Sequence, residues 1–415
     1  MTDYFDHKET RSQYERENDQ LQKLQSCLSD AKEKAPFYSE TLANIDPTKI
    51  TSITDLAALP VVRKSNLIEM QSSSSPFGGL GQVSTGEMAR LFLSPGPIVE
   101  PQGIDGDIWR VARALHAVGL RKGGVAHNCF AYHFTPAGIM FDFAARTLEC
   151  AVFPGGVGQT ESQVQAINRF QADTYMGTPD FLKIILEKAD ALETPITSIK
   201  RALVTGGPLF PDLRRYYQDR DIHVRQCYAT ADVGLIAYES ESLEGMILDE
   251  DVIVEIVRPG TGDLVAEGEV GEIVVTSFNP NYPLIRFATG DLSAFMPGQS
   301  SCGRTNRRIK GWMGRADQTT KVRGMFIHPE QIARIVEKHE EVVKARLEVS
   351  ENAGRDNMSL QCEIIADCSR DELEERLEET IRSECRLRGE VAFVEIGTLP
   401  NDGKVIHDTR PVVGS

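Results

Sequence analysis

Long apolar runs are missing from this chain of 415 residues: none approaches the roughly 18 apolar residues of a membrane-spanning helix. The opening MTDYFDHKETRSQYERENDQ is polar and acidic, the opposite of a signal peptide, so a cytoplasmic location is expected. Positive charge is scarce. With 45 Lys and Arg against 61 Asp and Glu, the net charge of -16 excludes broad electrostatic binding to nucleic acid or an anionic membrane. A local basic pocket for a phosphorylated ligand stays compatible with it. The eight cysteines form no C-x2-C pair, which removes a disulfide framework and a four-thiolate zinc site; most are expected to be buried reduced thiols. No G-x-G-x-x-G follows a strand-like run, so a dinucleotide-binding dehydrogenase has no footing. There is no internal repeat, and Ser72 to Ser75 is the only low-complexity patch.

What is present is an ordinary globular composition, 41% hydrophobic and 26% charged, in a chain long enough for two domains. The first 35 residues favour a surface helix, with Leu21, Leu24 and Leu28 at helical spacing before Pro36. From about residue 105 the pattern alternates. Helix-like stretches 105–117, 136–148, 160–170, 179–190 and 211–219 interleave with apolar runs 125–130, 150–154, 199–205 and 222–228, which predicts parallel strands with crossover helices. After residue 232, runs such as 252–257 and 272–275, separated by Gly- and Pro-containing turns, predict a β-rich subdomain. Strand, helix, strand, strand, helix, strand then follow over 322–396. The expected fold class is α/β: a large N-terminal domain, 1–314, with mixed and parallel sheets, and a small C-terminal α+β domain, 315–415.

Four strings could carry chemistry. Asp291 follows Thr289-Gly290 at a strand end, where a carboxylate can hold a vicinal diol or merely cap a turn. Gly206-Gly207 close an apolar run, letting backbone approach a flat ring. Tyr228-Ala229-Thr230-Ala231-Asp232 close the next one with an aromatic ring, a hydroxyl and a carboxylate able to serve Mg2+ and a phosphate. Lys404, on a Gly-flanked loop, pairs with the Gly314-Arg315-Ala316-Asp317 string as the two ends of a mobile lid that brings a cation to a phosphate.

Taken in chain order, from Gly206-Gly207 through Tyr228–Asp232, Asp291 and Gly314–Asp317 to Lys404, these strings resemble the adenylate-forming acyl-CoA synthetases, and most nearly the phenylacetate-CoA ligase family. The similarity runs from Leu59-Pro60-Val61-Val62-Arg63-Lys64 to the end of the chain. The resemblance implies that Asp291 holds the ribose of ATP and that Arg315 sits near the ribose or phosphates. It implies that Tyr228 stacks on adenine beside Gly206 and Gly207, with Ala229 and Arg286 counted among the nucleotide-binding positions. Thr230 and Asp232 would serve phosphate and Mg2+. Lys404 would act during adenylation, and Asp317 would be the hinge of the small domain. ATP, Mg2+ and coenzyme A are the implied cofactors and a small carboxylic acid the implied substrate; a homodimer stays open. Tyr132, Phe134 and Gly138 fall on the loop that borders the acyl group in that family, which suits a flat, apolar acid. For Phe134, packing into the core is an equal alternative, and His133 is expected to face solvent.

The chain departs from the family at its phosphate loop. Leu93-Ser94-Pro95-Gly96-Pro97-Ile98-Val99-Glu100 lacks the Thr pair and the lysine, carries prolines without amide donors and adds a negative charge. Such a loop is expected to cradle a β,γ-phosphate poorly. Asp232 stands where the family has glutamate. Of the Cys and His residues that bind zinc in some relatives only Cys302 remains, so no zinc is expected. Three readings follow: an acid-CoA ligase, an adenylating enzyme with an amine or carrier-protein acceptor, or a non-catalytic acyl-CoA or nucleotide binder.

Overall fold

The computed structural model describes residues 3–72, 75–94, 97–104, 107–316, 318–323, 325–352, 355–365, 369–400 and 404–410. Its contacts gather into two compact units. The first comprises Met1–Val254, Val275–Phe287 and Met296–Gly311; the second comprises Glu255–Val274, Ala288–Phe295 and Trp312–Ser415.

In the first unit, helix α1 (Gln13–Lys34) starts at a capping box in which Ser12 and Glu15 satisfy each other's backbone amides. Leu24, Leu28 and Ala31 form its buried stripe, and Pro36 begins the next short helix after Ala35. The chain then makes an antiparallel hairpin of β1 (Arg90–Ser94) and β2 (Ile98–Gln102). Five parallel strands follow: β3 (Val125–Asn128), β4 (Ala151–Pro154), β5 (Thr174–Gly177), β6 (Arg201–Val204) and β7 (His223–Thr230). Their order is β4-β3-β5-β6-β7, continued by the antiparallel strands β8 (Gly234–Glu239) and β9 (Met246–Leu248).

Helices α2 (Ala112–Val118) and α3 (Ala137–Thr147) supply Leu115, Met140, Phe141 and Ala144 to one core. Helices α4 (Thr160–Phe170), α5 (Pro179–Ala191) and α6 (Pro211–Gln218) supply Val164, Ile167, Leu182, Ile185 and Tyr217 to another. Two helical layers over near-continuous apolar strands are what a parallel sheet requires, because neither of its faces is left to water. The chain is therefore a mixed α/β protein, as the alternation predicts. Strand β5 escapes the sequence reading: Thr174-Tyr175-Met176-Gly177 is too short and too polar at its ends to stand out, yet all four residues are buried.

The second unit contains a four-stranded sheet. Strands β10 (Val342–Asn352) and β11 (Arg355–Ile364) are antiparallel, with β12 (Glu390–Val394) parallel to β11 and β13 (Ile406–Asp408) parallel to β10. Helices α7 (Pro329–Glu337) and α8 (Arg370–Cys385) bury Ile332, Ile335, Leu373, Leu377 and Ile381 with Leu347, Val349, Met358 and Leu360 of the sheet. Strand β13 is a second element absent from the sequence reading; its three residues carry no periodicity of their own.

Candidate active site

In an open sheet of order β4-β3-β5-β6-β7 the crevice for a ligand lies beyond the carboxyl ends of the strands. Gly206 follows β6 in the left-handed region, φ +74, a conformation that favours glycine, and with Gly207 it keeps the backbone bare there. At the end of β7, Tyr228 is buried opposite Ala237, and the ladder shifts register between Tyr228 and Ala229. Such a bulge re-aims the side chains that follow it. Thr230 Oγ1 accepts a hydrogen bond from the amide of Val233 (3.1 Å), which closes the turn carrying Asp232.

Asp232 is not alone. Its side chain is 1% exposed, and Lys64 donates to Asp232 Oδ2 at 2.5 Å across 168 residues of chain. Glu100 joins them from the β1–β2 hairpin. Ser94 Oγ donates to Glu100 Oε1 (2.6 Å), while Oε2 is buried with no hydrogen-bond partner among the described residues. Burial, reinforced by the Asp232 carboxylate and opposed by Ser94 and Lys64, pushes the Glu100 carboxyl up to about 8. The same hairpin occupies the place of the expected phosphate loop. Its strands pair as a ladder, Phe92 opposite Glu100 and Ser94 opposite Ile98, while the Leu93 amide donates to the Phe134 carbonyl and the Val99 amide to Gln71 Oε1 (2.8 Å). Pro95 and Gly96 at its tip lie outside the described residues.

Arg286 belongs to the first unit. Its guanidinium is buried and donates to the carbonyl oxygens of Ala57 (3.1 Å) and Leu59 (2.6 Å), tying the segment before Lys64 to the core. The acyl-side residues divide. The Tyr132 hydroxyl accepts from Asn128 Nδ2 (2.8 Å) and donates to Asp142 Oδ2 (3.1 Å), and Asn128 also donates to the Gly138 carbonyl (2.8 Å). A Cβ at Gly138 would lie 2.4 Å from the carbonyl oxygen of Ala131, so only glycine fits. Phe134 stands apart, 72% exposed at φ +64, and accepts the amide of Leu93 from the hairpin (2.8 Å). It lines an open groove with Phe77, Leu91, Leu93 and Val99, so it does not pack in the core. His133 is exposed.

In the second unit, Asp291 is buried and accepts from Arg315 Nη1 and from Trp312 Nε1, both at 3.0 Å. The two strings are joined through backbone as well: Asp291 and Arg315 form an antiparallel bridge, and Ala316 donates to the Gly290 carbonyl (2.7 Å). Gly290 has φ +77, and a Cβ there would meet Arg315 Nη2 at 2.6 Å. Lys404 is exposed and lines a cleft with Arg258, Asp263, Glu269 and Lys344. Asp317, the expected hinge, lies outside the described residues.

The profile of the AMP-binding enzymes matches residues 132–279, and that of the AMP-binding enzyme C-terminal domain matches 324–410, together more than half of the chain. The chain belongs to the AMP-binding enzyme family. A phenylacetate-coenzyme A ligase from Pseudomonas putida is 28% identical over 94% of this chain and 92% of its own length. One from Escherichia coli (strain K12) is 28% identical over 98% of both chains, and one from Aromatoleum evansii 29% identical over 83% of this chain and 81% of its own. A crystal structure of 2-hydroxyisobutyryl-CoA ligase with 2-HIB-AMP and CoA shares the fold, with a TM-score of 0.70 at 23% identity over 97% of this chain and 91% of that one.

Two residues of this AMP-binding enzyme went without a role in the sequence reading. Trp312, the Asp291 partner, stands three residues before Arg315 in a Gly-flanked string, which is a usable signal. Lys64 closes the Leu59–Lys64 segment, but nothing in its neighbours points to Asp232. Among the described residues no three His, Cys, Asp or Glu side chains gather as a metal cluster, and no helix is long and apolar enough to cross a membrane.

Proposed function

We propose that this AMP-binding enzyme is an ATP-dependent acid-CoA ligase, AMP-forming, which joins a small carboxylic acid to AMP and then passes the acyl group to the thiol of coenzyme A. The acid is aromatic, of the phenylacetate or benzoate kind. The cluster at the end of β7 carries the reading: an aromatic ring, a hydroxyl and a carboxylate already matched by a lysine, at the edge where α/β sheets bind ligands. The names of the relatives support the thiol acceptor and the aromatic acid.

In this reading Tyr228 and the bare backbone at Gly206-Gly207 receive adenine, Asp291 takes the ribose hydroxyls, and Arg315 orients Asp291 while facing the phosphates. Attack of the acid's carboxylate on the α-phosphorus builds negative charge on phosphate oxygens. A metal ion at Asp232 would neutralise part of that charge when bound, and the buried Asp232 carboxylate with the orphaned Glu100 oxygen fits such a cation. Lys404 stabilises the remainder, an effect of several kcal/mol for a well-placed cation. Once pyrophosphate has left, the lysine has no further task, and rotation of the C-terminal domain about Asp317 lets one cavity serve the thioester step. A loop holding Tyr132 and Gly138 in fixed geometry borders the acyl group. The enzyme works in the cytosol, where ATP and coenzyme A are supplied.

Purified protein with ATP, Mg2+ and CoA, offered aryl, arylacetic and short aliphatic acids, tests the proposal. Release of AMP and pyrophosphate with the aryl or arylacetic acids supports it. Release that ignores CoA moves the acceptor to an amine or a carrier protein, and nucleotide binding without AMP release makes the protein a binder.

A further inference from the structure

Three stretches far apart in sequence place charged groups within electrostatic reach of one another: Glu100, buried on β2, Asp232 after β7, and the part-exposed Lys64. The pairing is uneven. Lys64 answers Asp232 and Ser94 answers one oxygen of Glu100, but Glu100 Oε2 is buried without a partner among the described residues. The Tyr282 hydroxyl is buried nearby, and both Asp232 and Glu100 act on it electrostatically, as Asp232 and Lys64 act on Glu100. A buried carboxyl oxygen left without a partner is destabilising, which leaves it ready to accept a cation. Glu100 is 3% exposed, so bulk solvent scarcely reaches it.

We propose that Glu100 and Asp232 together seat the divalent cation that accompanies ATP, and that Lys64 stands in for the cation at Asp232 until the metal–nucleotide complex arrives. Mg2+ is characteristically held by one or two carboxylates, with substrate phosphate oxygens and water completing an octahedron. Two carboxylates meet that pattern, and the second has a reason to be here. The hairpin in place of the phosphate loop lacks a lysine, and the Leu93 and Val99 amides that leave its ladder are taken by Phe134 and Gln71, so more of the phosphate charge must be met by the metal, and the metal held more firmly. The Lys64 side chain is 26% exposed, which leaves it room to leave Asp232 and turn to a phosphate oxygen. Glu100 thus compensates for the loop it belongs to. The inference rests on reading Asp232 as the metal carboxylate of an ATP-using enzyme.

The test is Mn2+ binding, followed by electron paramagnetic resonance on the full-length protein with and without an α,β-methylene analogue of ATP. Glu100→Gln keeps the acceptor for Ser94 and removes the carboxyl that a bound cation would hold deprotonated; it is expected to weaken Mn2+ at least tenfold, since even residues that only support a metal ligand are worth about 10–100-fold. Lys64→Met removes the competing cation and is expected to tighten Mn2+ in the absence of the analogue. Glu100→Asp, a carboxylate one methylene shorter, is expected to recover part of the loss, and thermal melts confirm that each variant folds. Equal Mn2+ affinity in wild type and Glu100→Gln, or no Mn2+ binding by wild type in either condition, overturns the proposal. AMP release is read separately. A ligase whose Mn2+ affinity ignores Glu100 loses the inference and keeps the function, and opposite shifts in the two variants without AMP release from any acid do the reverse.

Discussion

Asp291→Asn separates a structural from a nucleotide-binding role by magnitude. The substitution is isosteric and preserves an acceptor oxygen for Trp312 Nε1 and Arg315 Nη1, so what is removed is the negative charge and the second acceptor oxygen that a diol would use. On the structural side little is at stake. The Arg315 side chain is 48% exposed, and an ion pair with so wet a partner contributes roughly 0–1 kcal/mol after screening. On the binding side more is at stake, because a hydrogen bond to a charged acceptor is worth about 1.5–3 kcal/mol. At 1.4 kcal/mol per factor of ten, the KM for ATP is expected to rise about 10–150-fold. The KM for the acid and the melting temperature should hardly move. Steady-state pyrophosphate release at varied ATP, with a thermal melt in the same buffer, reads both quantities. A melting temperature that collapses while the KM for ATP stays at the wild-type value would refute the reasoning and make Asp291 a purely structural link to Arg315.

Three further outcomes are expected. Lys404→Ala should lower acid-dependent pyrophosphate release by about 10²–10³, the usual effect of deleting one stabiliser of transition-state charge, and leave thioester formation from supplied acyl-adenylate intact; equal loss of both steps argues against a role confined to adenylation. Gly138→Ala should destabilise the first unit by about 1–3 kcal/mol in urea denaturation, because the added methyl would stand 2.4 Å from the Ala131 carbonyl oxygen; an unchanged midpoint would mean that the loop yields. His127 is buried, stacked on Phe153 and bonded to Gln163 Oε1 (2.6 Å), and burial lowers its pKa to about 4 against the partial support of Gln163. Its folded pKa lies below its unfolded one, so its contribution is complete above the unfolded pKa and is lost as pH falls through 6.5 toward 4. At about 1.4 kcal/mol per pKa unit this is roughly 3 kcal/mol, and His127→Gln should flatten the fall of unfolding free energy between pH 7 and 4 by that order; parallel curves for the two proteins would rule it out.

By itself the sequence determined the class of the protein and the order of its parts. Crossover helices at 160–170 and 179–190, the turns after residue 232 and the helix over 370–385 all leave local signatures, because periodicity and turn chemistry act between residues a few positions apart. The strings around Asp232, Asp291 and Arg315 were legible for the same reason. Strand β5 and strand β13 were not, being four and three residues long and defined only by the strands beside them. Tertiary structure alone decided which groups meet. It gave Asp232 its lysine, buried Arg286 against Ala57 and Leu59, turned Phe134 to solvent and placed Glu100 within reach of the Asp232 charge. Contacts across 168 or 227 residues have no counterpart in local pattern, since what brings them together is the packing of whole elements and not the preference of any residue for its neighbours.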